Sequence, residues 1–481
     1  MYTSFGAEER NGGHKQQNGT PTGSQRAKDE FILLDDAHQL TNKQKADHEL
    51  CTAPILTAEA YTAVGGDKFI RQYGVFGKVI EIGGGTSSSN DRIQIPKDGR
   101  LYLNTNTPFS AVVCGVQGSG KSHTVSVMLE DMLVPDCSLI GHLQQPLAGL
   151  VLHYSNGGQN TLPSEAAYIG VPRFNGIKAP QVDVYVPKSS LNTLKGAYAH
   201  LGTNIKVQSL YFDENELDAE AFLSMMAVES LESAPLYMQT VMSILRDLGE
   251  QFTFTRFQQK LNTHDFSPTQ RAMLDQRMAL LNSFVSKIPR KSRFSQGRLT
   301  IIDLSDPFID ASSACSVFEI IVRLFVRAKI ETGKVILVDE AHKYLEQGTT
   351  NGLVKSLLKL IREQRHLAMR VLVSTQEPTV IPPVILDLCS VMVLHRFSSP
   401  EWWQHLRRHI CAQISQGDAF DKIVGLETGQ AMVLSPSGLT TNDEDKSLIL
   451  LRRLYVLMKT RKRVTLDGGT SALAVGSTKI P

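Results

Sequence analysis

The 481-residue chain predicts an α/β fold, a doubly wound and mostly parallel sheet. Three observations carry that expectation. Short apolar runs of strand length alternate with segments of helical spacing along most of the chain. One apolar run ends in a Gly-rich turn that opens straight into a helix. Another ends in two adjacent acids, at the carboxyl edge where such sheets bind ligands.

The turn is Gly115-Val116-Gln117-Gly118-Ser119-Gly120-Lys121-Ser122. It fits G-x-x-x-x-G-K-[ST], so the sheet is expected to be of P-loop NTPase type. Residues 109–114 before it suit a buried parallel strand, and residues 122–130 after it carry apolar side chains at helical spacing. Strand, glycine turn and helix come in the order that the chemistry needs. Glycines let backbone N–H groups wrap phosphates, and the helix N-terminus adds its dipole. Gly115, Gln117, Gly118, Ser119 and Gly120 are read as the cradle. Lys121 is expected to reach the β- and γ-phosphates, and the Ser122 hydroxyl to bind Mg²⁺. His123 is counted with this nucleotide-binding stretch, its side chain read as packing on the helix. ATP and Mg²⁺ are the implied cofactors.

Downstream, Val335-Ile336-Leu337-Val338 leads into Asp339-Glu340. Asp339 is expected to hold the Mg²⁺ shell, and Glu340 to take a proton from the attacking water. Residues 370–376 make one more strand, ending in Thr375-Gln376. A strand lying between the two nucleotide-binding strands would put Gln376 near the γ-phosphate. Its carboxamide can donate to phosphate and accept from water, so Gln376 joins Glu340 among the catalytic candidates.

The remaining elements follow in order. Residues 1–48 read as a disordered tail, with residues 1–30 rich in Gly, Gln, Asn, Thr and Ser and one apolar patch following, Phe31-Ile32-Leu33-Leu34. Residues 49–108 read as a small β-rich N-terminal module, its Gly83–Ser89 stretch a surface turn that lacks Lys and a following helix. Residues 109–470 form the nucleotide domain, with strands at 149–154, 182–186, 299–304 and 391–394. A helical insert is expected at about residues 210–295, and further helices at 317–329 and 353–366. Residues 471–481 close the chain as a tail.

Composition narrows the class. A hydrophobic share of 42% with 20% charged residues fits a soluble globular protein. The formal net charge of +2 removes a global basic field as an argument for nucleic acid. Six scattered cysteines show no C-x-x-C spacing, which predicts buried free thiols and no structural zinc. The N-terminus lacks the basic and apolar regions of a secretory signal, and no apolar run reaches the length of a membrane span. An intracellular location, cytoplasm or nucleus, is therefore expected.

Further motifs resemble the HerA/FtsK superfamily of ring-forming ATPases. Glu363-Gln364-Arg365-His366 followed by Val371-Leu372-Val373-Ser374-Thr375-Gln376-Glu377-Pro378 is similar to its Arg-containing helix and T-Q-x-P strand. Leu388-Cys389-Ser390-Val391-Met392-Val393-Leu394-His395-Arg396, Leu426-Glu427-Thr428-Gly429-Gln430-Ala431 and Arg461-Lys462-Arg463-Val464-Thr465 resemble its later segments. One position departs: Ala368 stands where many members have Gly. The resemblance spans roughly residues 100–470. It implies a homo-oligomer, a hexameric ring, with ATP between subunits and DNA as the substrate. It also implies an arginine reaching a neighbour's γ-phosphate. Arg365 is the first candidate for that finger and Arg362 the second, with Arg461 and Arg463 as alternatives.

Asp339-Glu340-Ala341-His342 also spells DEAH. The long separation from Lys121 and the missing S-A-T and Q-R-x-G-R-x-G-R motifs argue against a DEAH-box helicase. A rival from another class is an ATP-dependent switch or protein-remodelling ATPase without a DNA substrate. Trp402-Trp403 and Arg407-Arg408-His409 share one expected helix, where base stacking or phosphate contact competes with simple packing and a solvated face.

Overall fold

The computed structural model describes residues 50–84, 95–214, 216–225, 237–286, 292–345, 352–410, 416–442 and 446–469. The expected tails and most of the Gly83–Ser89 turn lie outside the described residues. The strands are β1 (Ile55–Thr57), β2 (Tyr73–Gly83), β3 (Arg100–Leu103), β4 (Ser110–Cys114), β5 (Gly141–His142), β6 (Ala148–His153), β7 (Gln181–Val186), β8 (Ile205–Ser209) and β9 (Phe212–Asp213). They continue as β10 (Val285–Ser286), β11 (Arg298–Asp303), β12 (Lys334–Val338), β13 (Met369–Thr375), β14 (Val391–Leu394), β15 (Gln430–Leu434), β16 (Leu439–Thr441), β17 (Leu448–Leu450) and β18 (Tyr455–Thr460).

One sheet holds nearly all of them. Its parallel block runs β14-β4-β13-β12-β6-β11-β7-β8. β13 thus lies between β4 and β12, where the strand ending at Gln376 was expected. Every residue of β4, β12 and β13 is buried, because helices cover both faces and leave no polar side to alternate with. Alternate residues feed opposite cores. Val112 and Cys114 join one, Ala111 and Val113 the other.

The helices are α1 (Ala58–Val64), α2 (Lys121–Leu133), α3 (Leu191–Tyr198), α4 (Ala219–Met225), α5 (Tyr237–Leu248) and α6 (Phe254–Asn262). They are followed by α7 (Pro268–Phe284), α8 (Ala311–Arg327), α9 (Gly352–Glu363), α10 (Pro383–Leu388), α11 (Pro400–Arg407) and α12 (Gln416–Val424). α2 and α3 pack on one face of the sheet through Met128, Met132, Leu194 and Tyr198. α8 and α9 pack on the other through Phe318, Ile321, Leu357 and Ile361. That two-sided cover is the doubly wound arrangement. α4 to α7 fall in the stretch expected as an insert, and the Phe222 and Phe257 rings meet there at 4.3 Å.

The strands of residues 49–108 extend the same sheet. β2 pairs antiparallel with β18, β18 with β15, and β15 with β14. β1 and β3 lie beyond, alongside β16 and β17. The N- and C-terminal strands therefore complete one edge together.

Two helix boundaries differ from the sequence reading. α8 starts at Ala311 rather than Val317 because the Asp310 carboxylate caps it, accepting from Ser313 N–H at 2.6 Å. α9 ends at Glu363 rather than His366. The chain then turns through Ala368, whose φ of 47° is left-handed. Arg365 consequently sits in a turn at the amino end of β13, not on a helix beside Gln376. The seven residues of β13, at roughly 3.3 Å each, separate it from that strand tip.

Candidate functional site

The carboxyl ends of the parallel strands gather the polar residues. The phosphate loop leaves β4 there, and Gly120 opens α2 with a φ of 110°. Gly115 also has positive φ, and a Cβ on it would lie 2.7 Å from the His395 Cβ. A Cβ on Gly120 would come within 3.0 Å of the Gly429 backbone. Only glycine fits either place. The loop is held from outside as well, since Val116 N–H donates to the Arg396 carbonyl and Gly429 N–H to the Ser119 carbonyl.

Lys121 is buried, and its ammonium donates to the Val116 carbonyl at 3.1 Å. Burial lowers its pKa, against the charges of Glu340, Cys114 and Asp339. Ser122 and His123 follow on the first turn of α2, while Gln117 and Gly118 form the exposed tip. The glycine-built concavity, a desolvated ammonium and a helix N-terminus fit a polyphosphate. The Ser122 hydroxyl and the Asp339 carboxylate are hard oxygen donors of the kind Mg²⁺ takes.

Asp339 and Glu340 extend from β12, flanked by β6 on one side and β13 on the other. Glu340 is in the left-handed region, with φ 49° and ψ 42°. Gln376, at the tip of β13, donates its side-chain amide to both Glu340 carboxylate oxygens at 2.9 Å. His342 lies 3.4 Å from Glu340 Oε2 and accepts from Gln376 N–H, so it belongs to the site as well as opening a short 3₁₀ turn. Burial lowers the His342 pKa, opposed by the Glu340 charge.

Two residues escaped the sequence reading. His153 ends β6 and places Nδ1 3.2 Å from Asp339 Oδ2. Burial pushes its pKa down, but the Asp339 hydrogen bond and the Asp303 charge outweigh this and raise it overall. His395 ends β14 beneath the loop, fully buried, and Nδ1 donates to the Gln430 carbonyl at 2.9 Å. Burial lowers its pKa to about 4. Each is one histidine at one strand end. No spacing rule marks it until the strand order is known.

The arginines divide. Arg365 and Arg362 are exposed. Arg463 is instead buried and Arg461 half-buried, both turned inward against α2, which speaks against the alternative of their reaching a neighbour's nucleotide. Arg461 bonds Glu130 and Asp131 on α2 at 2.7 Å each. Glu130 also accepts from the Val464 and Thr465 N–H groups and from the Thr465 hydroxyl. Two carboxylates buried in the loop's own helix require that positive charge, so the segment is a structural clamp. His123 is part of it, its ring lying 2.9 Å from Asp467 Oδ2 and 2.8 Å from the Arg461 carbonyl oxygen.

Trp403 is buried against Phe420, with Trp402 partly buried beside Phe397. Arg407, the last residue of α11, and Arg408, its C-cap, are exposed. Of the cysteines, Cys114, Cys137 and Cys315 are buried and Cys51 and Cys389 half-buried, none of these five in a disulfide. No cluster of metal-ligating side chains occurs among the described residues.

No protein family and no curated protein matches the chain. Solved structures do. VirB4 of Thermoanaerobacter pseudethanolicus is 10% identical, covering 81% of this chain and 96% of its own at a TM-score of 0.45. The plasmid coupling protein TrwB in complex with ADP and Mg²⁺ is 10% identical, covering 82% and 97% at 0.42. The genome packaging NTPase B204 from Sulfolobus turreted icosahedral virus 2 in complex with AMP is 8% identical, covering 71% and 96% at 0.28. At these scores the fold rests on the chain's own geometry. The strand order β4-β13-β12, the glycine loop between β4 and α2, and the acids at the tip of β12 are the fold of a P-loop NTPase.

Proposed function

We propose that the chain is an ATP-hydrolysing motor of HerA/FtsK type that works as a homo-oligomeric ring on DNA. The observation that carries the hydrolytic part is the contact between Gln376 and Glu340 beside the phosphate loop. A carboxylate fixed at a strand tip is placed to act as a base, and a carboxamide at the adjoining tip can exchange it for phosphate.

In this reading Gly115 to Ser122 hold the phosphates, with Lys121 on the β- and γ-groups. Ser122 and Asp339 would hold Mg²⁺, which would neutralise charge on the phosphates. Glu340 accepts a proton as a water oxygen bonds to the γ-phosphorus. The bond to the bridging β–γ oxygen breaks, leaving ADP and inorganic phosphate. Arg365 is exposed and far along β13 from Gln376, so any γ-phosphate it touches belongs to a neighbour.

The DNA part rests on the motif resemblance. One observation favours the rival, a protein substrate. Leu162 and Phe308 are 79% and 81% exposed on loops that leave β6 and β11, and neither residues 155–163 nor 304–310 contain Lys or Arg. No helix among the described residues is long and apolar enough to cross a membrane.

The test is ATP turnover with and without duplex DNA at low salt, alongside the mass of the assembly. A motor on DNA turns over faster with duplex, and the stimulation fades as salt rises. Turnover indifferent to DNA would leave the protein-substrate reading. Turnover that survives Lys121→Ala would defeat the site itself.

A further inference from the structure

We infer that His153 is a positioning residue for the metal-binding carboxylate, its Nδ1–H fixing Asp339 Oδ2 and leaving the other oxygen for the ion. This rests on the nucleotide reading above.

Three observations build it. The Asp339 backbone is pinned, its N–H donating to the Leu152 carbonyl at 3.0 Å and its carbonyl accepting from the Tyr344 hydroxyl at 2.9 Å. What the backbone leaves undecided is the rotation of the carboxylate, and His153 Nδ1 meets one of its oxygens at 3.2 Å. Secondly, β6 runs between β12 and β11, so His153 stands between two acidic tips. Asp303 is already committed, with Oδ2 accepting from the Tyr198 hydroxyl at 2.7 Å and Oδ1 from Ser305 N–H at 3.0 Å. The His153 Nδ1 contact is with Asp339 Oδ2, while Asp303 acts on the ring through its charge. Thirdly, the His153 and Asp339 side chains are only 12% and 13% exposed, so water competes little for that bond.

A carboxylate accepts and does not donate, so Nδ1 carries the proton in this contact. Outer partners of this kind set the orientation of a ligand without touching the ion. His153 would act through Asp339 on metal affinity and leave the phosphate grip to the loop.

The test uses the full chain, His153→Leu and His153→Asn, and a fluorescent ADP analogue titrated with and without Mg²⁺. Asn places an amide N–H close to where Nδ1 stood. His153→Leu should raise the Mg²⁺ concentration needed for tight binding by about 10- to 100-fold. Metal-free ADP binding should not change, and His153→Asn should recover most of the loss. Mn²⁺ binding read by electron paramagnetic resonance should follow the same order. An unchanged Mg²⁺ requirement in His153→Leu would overturn the inference. So would Asn no better than Leu, or metal-free binding lost in step, since either makes His153 a packing residue. Wild-type protein that binds no ADP at all would instead overturn the nucleotide reading beneath it.

Discussion

Gln376 donates to both carboxylate oxygens of Glu340 at 2.9 Å, tying the tip of β13 to the tip of β12. The two strands pair in register through Val338 and Val373, so the contact spans neighbouring strand ends. Glu340 is held in a left-handed conformation that costs a non-glycine residue about 1–2 kcal/mol. Such strain persists where the surroundings over-determine it, and the paired contacts from the Gln376 amide supply that constraint.

Glu340→Gln should therefore keep nucleotide binding and lose hydrolysis. The amide preserves the shape but cannot take the proton. Turnover should fall roughly 10²–10⁴-fold, while ATP binding measured by fluorescence stays near wild type. Turnover at the wild-type rate would remove Glu340 as the base.

Arg461 and Arg365 should separate stability from turnover. Arg461→Ala removes the guanidinium that bonds both buried acids, leaving Glu130 the more distant Arg463 at 3.8 Å, so urea denaturation should show a loss of about 3–5 kcal/mol. Arg365 is exposed, and Arg365→Ala should change stability by no more than about 0.5 kcal/mol. If it is the trans finger, turnover should drop by roughly 10³-fold or more. Mixing Arg365→Ala with Glu340→Gln subunits should then restore some activity, because one intact site can form across their contact. No restoration in mixed assemblies would place Arg365 outside the site.

These contrasts mark what the residues alone could disclose. The loop, Asp339, Glu340 and Gln376 were legible because each motif is contiguous and its spacing fixes its place on a strand end. His153 and His395 were not. Their meaning depends on β6 lying beside β12 and β14 beside β4, which are long-range pairings. The pairing of β2 with β18, from opposite ends of the chain, was invisible for the same reason. Arg461 and Arg463 were legible as a motif. Their packing against α2 depends on Glu130 and Asp131, which the sequence reading passed over as ordinary helix residues.

Ala368→Gly should stabilise the protein. Ala368 has a φ of 47° just after α9, and its carbonyl accepts from Lys334 N–H at 3.0 Å and from the Arg370 guanidinium at 2.7 Å. Those bonds hold it in a region that disfavours any Cβ. Glycine removes a penalty of about 1–2 kcal/mol and adds up to about 1 kcal/mol of unfolded-state entropy. A net gain of roughly 0.5–1 kcal/mol should show as a higher urea midpoint with unchanged slope. A loss of stability would mean that the Ala368 methyl contributes packing that outweighs the backbone strain.

His395 should make the fold acid-sensitive within a defined window. It is fully buried beneath the phosphate loop, and burial lowers its pKa to about 4 from an ordinary 6.5. Between those values the unfolded chain binds a proton that the folded one refuses, so stability rises with pH there. The contribution is present above about pH 6.5 and is lost as pH falls toward 4. At about 1.4 kcal/mol per unit, the loss across the window is on the order of 3 kcal/mol. His395→Asn keeps a donor for the Gln430 carbonyl and removes the titration. Urea midpoints at pH 7, 5.5 and 4.5 should fall in the wild type and flatten in the variant. Parallel slopes in the two proteins would assign the acid sensitivity to other groups.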